Sequence, residues 1–139
     1  MTTLNNETAV NNGPAKGFHV YQIKYTYEEY VSGDSYAQEK ADAHRLVSGF
    51  GDNFKADLCK YYGHVADVAA TDVDDAFRIM NLWTEEDEAK VTRLAPLHSL
   101  SVGDVLVDPV SGTAYICLAA GWRKVPAAAH SLDYQGAAA

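Results

Sequence analysis

The sequence predicts an α+β fold: a small antiparallel sheet, made of an N-terminal strand, a middle strand and a C-terminal hairpin or meander, packed against two or three helices. Three observations predict it. Phe18 to Tyr27 is a run of aromatic and β-branched residues. Apolar residues then recur at helical spacing in two separate stretches, after Asp34 and after Thr71. Last, His98 to Val125 reads as strand, turn, strand, turn, strand.

The elements follow in order. FHVYQIKYTY, from Phe18 to Tyr27, places His19, Tyr21, Ile23, Tyr25 and Tyr27 on one face and Phe18, Val20, Gln22, Lys24 and Thr26 on the other. Neither face is purely polar, so both are expected to be partly covered. Ser32, Gly33 and Asp34 punctuate the chain, and Asp34 or Ser35 can cap a helix. Its spaced residues are Tyr36, Ala37, Lys40, Ala41, His44 and Val47 or Ser48, and Gly49 and Gly51 end it. Phe54 to Tyr62 has helical character, broken by Gly63. His64 to Ala70 alternates as a strand, with Val65 on one side and Val68 on the other. Thr71 with Asp74 fits a capping pattern, and acids in the first turn suit the positive end of a helix dipole. The buried stripe of that helix reads Val73, Ala76, Phe77, Met80 and then Leu82 or Trp83. Thr84 with Asp87 caps a short helix or loop running from Glu85 to Arg93, and Pro96 disfavours helix at Ala95. Strands at Val105–Asp108, Thr113–Ala119 and Trp122–Val125 complete the pattern, with reversals at Val110-Ser111-Gly112 and at Gly121.

The 139 residues, 47% of them apolar, fit one domain with one core. Residues 1–16 read as a disordered polar tail, 17–126 as the domain and 127–139 as a flexible tail. No apolar run is long enough for a transmembrane helix, and the N-terminus lacks the basic and apolar regions of a secretory signal. Cys59 and Cys117 have no ligand spacing and read as two buried thiols of a cytosolic protein rather than a disulfide.

Charge excludes one function class. The net charge is −8, which argues against direct nucleic-acid binding, because phosphate contacts need clustered Lys and Arg. Asp57 to Glu88 holds nine acids and two bases, so this segment carries −7. Such a face can steer a basic partner surface into contact. The partner-binding residues expected from it are Asp72, Asp74, Asp75, Glu85, Glu86, Asp87 and Glu88, with Trp83 as an aromatic anchor.

Signatures of catalysis are missing. No phosphate-binding glycine loop and no nucleophile elbow occur. His19, His44, His64, His98 and His130 never pair at helical spacing, so no helix-borne metal site is expected, and no cofactor or catalytic residue is assigned. His98 and Asp104 belong to a loop, HSLSVGD, whose Ser, Gly and Asp are turn chemistry. A small polar site made by these two is the alternative.

The order VYQIK, YYGHVADVAA, DDAFRIMN, HSLSVGDVLV, hairpin and GWRKV resembles the YodL-like family of small proteins from phages, plasmids and conjugative elements. The resemblance covers Phe18 to Val125, its last third being most specific, and the segment from Tyr27 to Asp57 is longer here. It implies an accessory protein acting in the host bacterial cytoplasm and brings no catalytic residues with it. The expectation is therefore a non-enzymatic binder of a host protein with a basic surface, such as restriction, CRISPR or nucleic-acid-processing machinery, acting by partial nucleic-acid mimicry. It needs no membrane, and a homodimer is compatible. The alternatives are a ligand-binding protein or enzyme with its pocket at His98–Asp104, and a structural protein of the virion or conjugation machinery.

Overall fold

A computed structural model describes residues 17–49 and 53–132. The sheet is open, six-stranded and wholly antiparallel, with spatial order β3-β2-β1-β4-β5-β6. The strands are β1 (Gly17–Ile23), β2 (Tyr62–Ala69), β3 (Val91–Arg93), β4 (Val105–Val107), β5 (Ala114–Cys117) and β6 (Trp122–Val125). The helices are α1 (Tyr27–Val31), α2 (Ser35–Ser48), α3 (Val73–Leu82) and α4 (Glu85–Glu88), and 3-10 turns span Ala56–Tyr61 and Ala127–Ala129. The α+β class predicted by the sequence is the class observed.

Both faces of the sheet are buried. One face carries Tyr21, Ile23, Val105, Val107 and Ile116, and packs on Ala43 and Val47 of α2 with Phe54 and Leu132. The other carries Phe18, Val20, Val68 and Leu106, under Ala76, Ile79 and Met80 of α3. The alternation read in β1 thus serves two apolar layers at once. Among the described residues no helix is long and apolar enough to cross a membrane.

Several elements differ from expectation, each for a local reason. The first strand ends at Ile23, not Tyr27. Thr26 and Glu29 form a reciprocal capping box: the Glu29 N–H donates to Thr26 Oγ1 and the Thr26 N–H to Glu29 Oε1, both at 3.0 Å. That box opens α1 where strand was expected. Phe54 to Tyr62 winds as a 3-10 turn over Ala56–Tyr61, and Gly63 lies inside β2, opposite Gln22. The cap of α3 is Asp72 rather than Thr71, its carboxylate accepting the Asp75 N–H at 2.8 Å. Ile79 enters the core, while Phe77 and Leu82 of the expected stripe are exposed. Val91 to Arg93, expected in a helix or loop, adds an edge strand to β2. Thr84 caps α4 as expected, accepting the Asp87 N–H at 3.1 Å, and Gly49 ends α2. Gly51 and the tail at residues 1–16 lie outside the described residues.

Two differences matter more. The folded chain continues past Pro126: His130 and Leu132 are buried, and the His130 ring bonds the Gly112 carbonyl at 2.7 Å. The stretch to Leu132 therefore closes over the β4–β5 turn and joins the core, and residues 133–139 of the expected tail lie outside the described residues. The second difference is a β-bulge. Val20 pairs with Ala66, but the next residue, Tyr21, pairs with His64, so Val65 is an extra residue in β2. Val65 and Val68, expected on opposite faces, consequently pack in the same apolar layer.

Candidate functional site

The acidic segment is the first place to look, because it holds every residue expected to bind a partner. Asp72 caps α3, and the Trp122 indole N–H donates to Asp74 at 3.1 Å. Asp75 receives the Thr71 N–H and the Arg78 guanidinium, both at 3.0 Å. The backbone bond from Thr71, ahead of Arg78, holds its carboxyl below the usual range. Asp87 is buried and ion-paired with Arg78 at 3.2 Å and Lys90 at 3.7 Å. Glu88 pairs with Arg93 at 2.8 Å. Trp83, a left-handed helix end, donates its indole N–H to Ser99 and lies under Arg93. Glu85 and Glu86 point to solvent. Five of the seven acids thus serve as caps or as partners of basic or indole groups.

A second polar group is assembled from far apart in the chain. Gln22 is fully buried in β1. Its amide donates to the His98 carbonyl at 2.9 Å and to Asp104 Oδ2 at 3.0 Å, and its oxygen accepts the His98 N–H at 3.2 Å. Asp104 also accepts the Ser101 N–H at 2.9 Å. Burial pushes the Asp104 carboxyl up to about 7, against the hydrogen bonds from Ser101 and Gln22 that favour its charged form. The Tyr62 hydroxyl donates to the Gly103 carbonyl at 2.6 Å, and burial raises that phenol well above its ordinary range. The HSLSVGD loop is thereby clamped to the central strand. Both cysteines are buried, and desolvation lifts the Cys117 thiol to about 11, which disfavours a nucleophilic thiolate.

A groove of 490 Å³ opens beside this network. Its walls include Tyr25, Tyr36 and Tyr61, with Lys24 and Lys40 from neighbouring positions and Gln22 at its base. Tyr36 packs against Tyr61 and under Lys40, and its hydroxyl donates to the Lys60 carbonyl at 2.8 Å. The exposed Tyr27, Tyr30 and Val31 of α1 lie between Tyr25 and Tyr36 in the chain. Tyr62 is buried and Tyr61, Trp83 and Trp122 are half-buried, whereas Tyr27 and Tyr30 of α1, Tyr36 of α2 and Phe77 of α3 are exposed.

The third constellation was not anticipated at all. His19 and Asp67 are directly opposed across β1 and β2, and His64 lies on the same face. His64 Nε2 is 2.7 Å from Asp67 Oδ1, and His19 Nδ1 contacts that same oxygen. The two imidazoles meet edge to face, with centroids 4.6 Å apart, and Tyr21 stacks on His64. The sequence signal was weak, because His64 and Asp67 are three residues apart and a regular strand would send them to opposite faces. His19 and His64 are joined across strands, and such a pair leaves no helical spacing in the sequence. No family model, curated protein or solved structure matches the chain.

Proposed function

We propose that the protein is a non-enzymatic binding module that engages another protein through the tyrosine-lined groove. The observation that carries this reading is the concentration of Tyr25, Tyr36 and Tyr61 around one opening, with Tyr27 and Tyr30 exposed nearby on α1. Tyrosine gives a large, stiff contact area and a hydrogen-bonding tip, and is enriched where proteins bind proteins. The net charge of −8 adds long-range steering toward a partner with a basic surface. The setting proposed is the one the YodL-like resemblance implies: an accessory protein of a phage or mobile element that modulates host defence or nucleic-acid-processing machinery in the bacterial cytoplasm. Mimicry of nucleic acid by the acidic segment is the narrower form of this proposal. It has less support, because most of those acids already have partners within the chain.

The test is recovery of host proteins from infected cells by the tagged chain, in parallel with a Tyr36→Ala/Tyr61→Ala variant. A partner held by the native chain and lost at least tenfold by the variant supports the reading. Equal recovery by both would remove the groove from the interface. A second reading, a small planar anion in the groove, is favoured by Lys24 and Lys40 beside the tyrosines and by a volume typical of ligand pockets. Stabilisation of the purified chain by aromatic anions, abolished in the same variant, would select it.

A further inference from the structure

We propose that His19, His64 and Asp67 form a binding site for a first-row divalent transition cation, of which Zn²⁺ is the test case. Two imidazoles and one carboxylate, each offering one atom, are a donor set that selects such ions over Mg²⁺ or Ca²⁺, which prefer oxygen alone. The ligand atoms all lie within 4.8 Å of one another, with His64 Nε2 2.7 Å from Asp67 Oδ1. These separations bracket the roughly 3.4 Å that two ligands adopt on a tetrahedral centre with bonds near 2.1 Å.

The backbone supplies the independent argument. The sheet is regular along β1 except at one place, and that irregularity creates the cluster. Without the extra Val65, His64 and Asp67 would occupy opposite faces of β2. With it, both join His19, which is already opposite Asp67. Bulges that re-aim a side chain in this way recur beside functional sites. β1 and β2, paired with each other over seven positions and each flanked by a further strand, hold the three α-carbons, so the site rests on hydrogen-bonded sheet backbone. Tyr21, itself buried, stacks on His64 and sets that ring's orientation.

Access is also provided. The side chains of His19, His64 and Asp67 are 22%, 29% and 43% exposed, so an ion can enter and keep solvent on its remaining positions. His64 lines the tyrosine groove, whereas His19 and Asp67 line a cleft on its other side. A bound ion would stand at the margin between them. On binding, each imidazole presents a lone pair to the ion and carries its proton on the other ring nitrogen, while Asp67 exchanges its contacts with the rings for the metal.

The probe is the metal alone. Titration of the full chain with Zn²⁺ should give one ion per chain, and Co²⁺ should give the visible absorption of a four- or five-coordinate nitrogen-oxygen site. His64→Ala and Asp67→Asn should each weaken binding at least tenfold, while His44→Ala and His98→Ala leave it unchanged. Because a variant can lose its fold, the native chain is also followed by NMR of its histidine rings. Zn²⁺ should shift the His19 and His64 resonances and leave those of His44, His98 and His130 in place. Absence of stoichiometric binding, equal binding by all variants, or shifts confined to the other histidines would overturn the proposal.

Discussion

The acidic stretch from Asp72 to Glu88 and the polar network around Gln22 are both built from charged and amide groups, yet they are connected in opposite ways. In the acidic stretch most partners are close in sequence: Asp72 with Asp75, Asp75 with Arg78, Thr84 with Asp87, Glu88 with Arg93. The Gln22 network joins residues 76 and 82 positions apart. Local pairs stabilise a helix end by small amounts and can be lost one at a time. A buried network is satisfied only when the whole sheet is in register, so each member depends on the others. A dense run of charge is therefore weaker evidence of a site than a few polar groups that converge from distant segments.

The largest expected effect tests that contrast directly. Gln22→Ala leaves the partly buried His98 N–H and carbonyl without their partners and removes a donor from the buried Asp104 carboxyl. It should cost about 3 kcal/mol and lower the melting temperature by roughly 10 °C. A loss as small as that of a helix cap would show that the network is no more cooperative than the acidic stretch.

Asp104 gives the same comparison a pH axis. Its folded-state carboxyl titrates near 7, raised from an ordinary value of 3.8 by burial. Between those values the native state holds a proton that the unfolded state has released, so this group's contribution to stability falls as pH rises through that window and is level above it. The groups facing it are Gln22, Ser101, Lys24, His98, Tyr62 and Cys117. His44, whose folded value is lowered by burial, acts oppositely on acidification, so the informative quantity is the difference between the native chain and Asp104→Asn. The native chain should gain at least about 1 kcal/mol relative to the variant between pH 7.5 and pH 5, read by denaturant unfolding at each pH. A flat difference would mean that Asp104 is ionised in the folded protein.

Helix capping defines the lower end of the scale. Thr84→Ala removes the acceptor for the Asp87 N–H and should cost about 1 kcal/mol, with no change in the pH profile.

The same division between local and assembled features explains what could be read from the sequence. The fold class, both C-terminal reversals and the Thr84 cap were legible because each rests on neighbouring residues. Gly112 and Gly121 adopt positive φ where the turns were placed. The Thr26–Glu29 capping box was equally local, but it lay inside an aromatic run whose β-propensity outweighed it. Ile79 was missed because the expected stripe ran through Val73, Ala76, Phe77 and Met80, whereas the buried face is centred on Ala76, Ile79 and Met80. Docking of Leu132 was not legible, since Ala-rich sequence carries no period to read. The His19–His64–Asp67 cluster was hidden for a stricter reason. A bulge changes which residues share a face, and nothing in YYGHVADVAA marks Val65 as the inserted one.

The smallest stability effect is expected at Glu85 and Glu86, and there it separates folding from recognition. Both side chains are exposed on a four-residue helix. Glu85→Lys/Glu86→Lys should alter stability by less than about 0.5 kcal/mol, because no buried or paired group is disturbed. Each reversal adds two charges, so the pair moves the net charge from −8 to −4. If the chain's field steers a basic partner, association should slow several-fold at low salt, and the native and variant rates should converge as screening shortens the reach of the charges. Dissociation should change little, because contacts made in the tyrosine groove are untouched. A variant that instead loses affinity equally at all salt concentrations, through faster dissociation, would place Glu85 and Glu86 inside the interface and restore the acidic stretch as the contact surface.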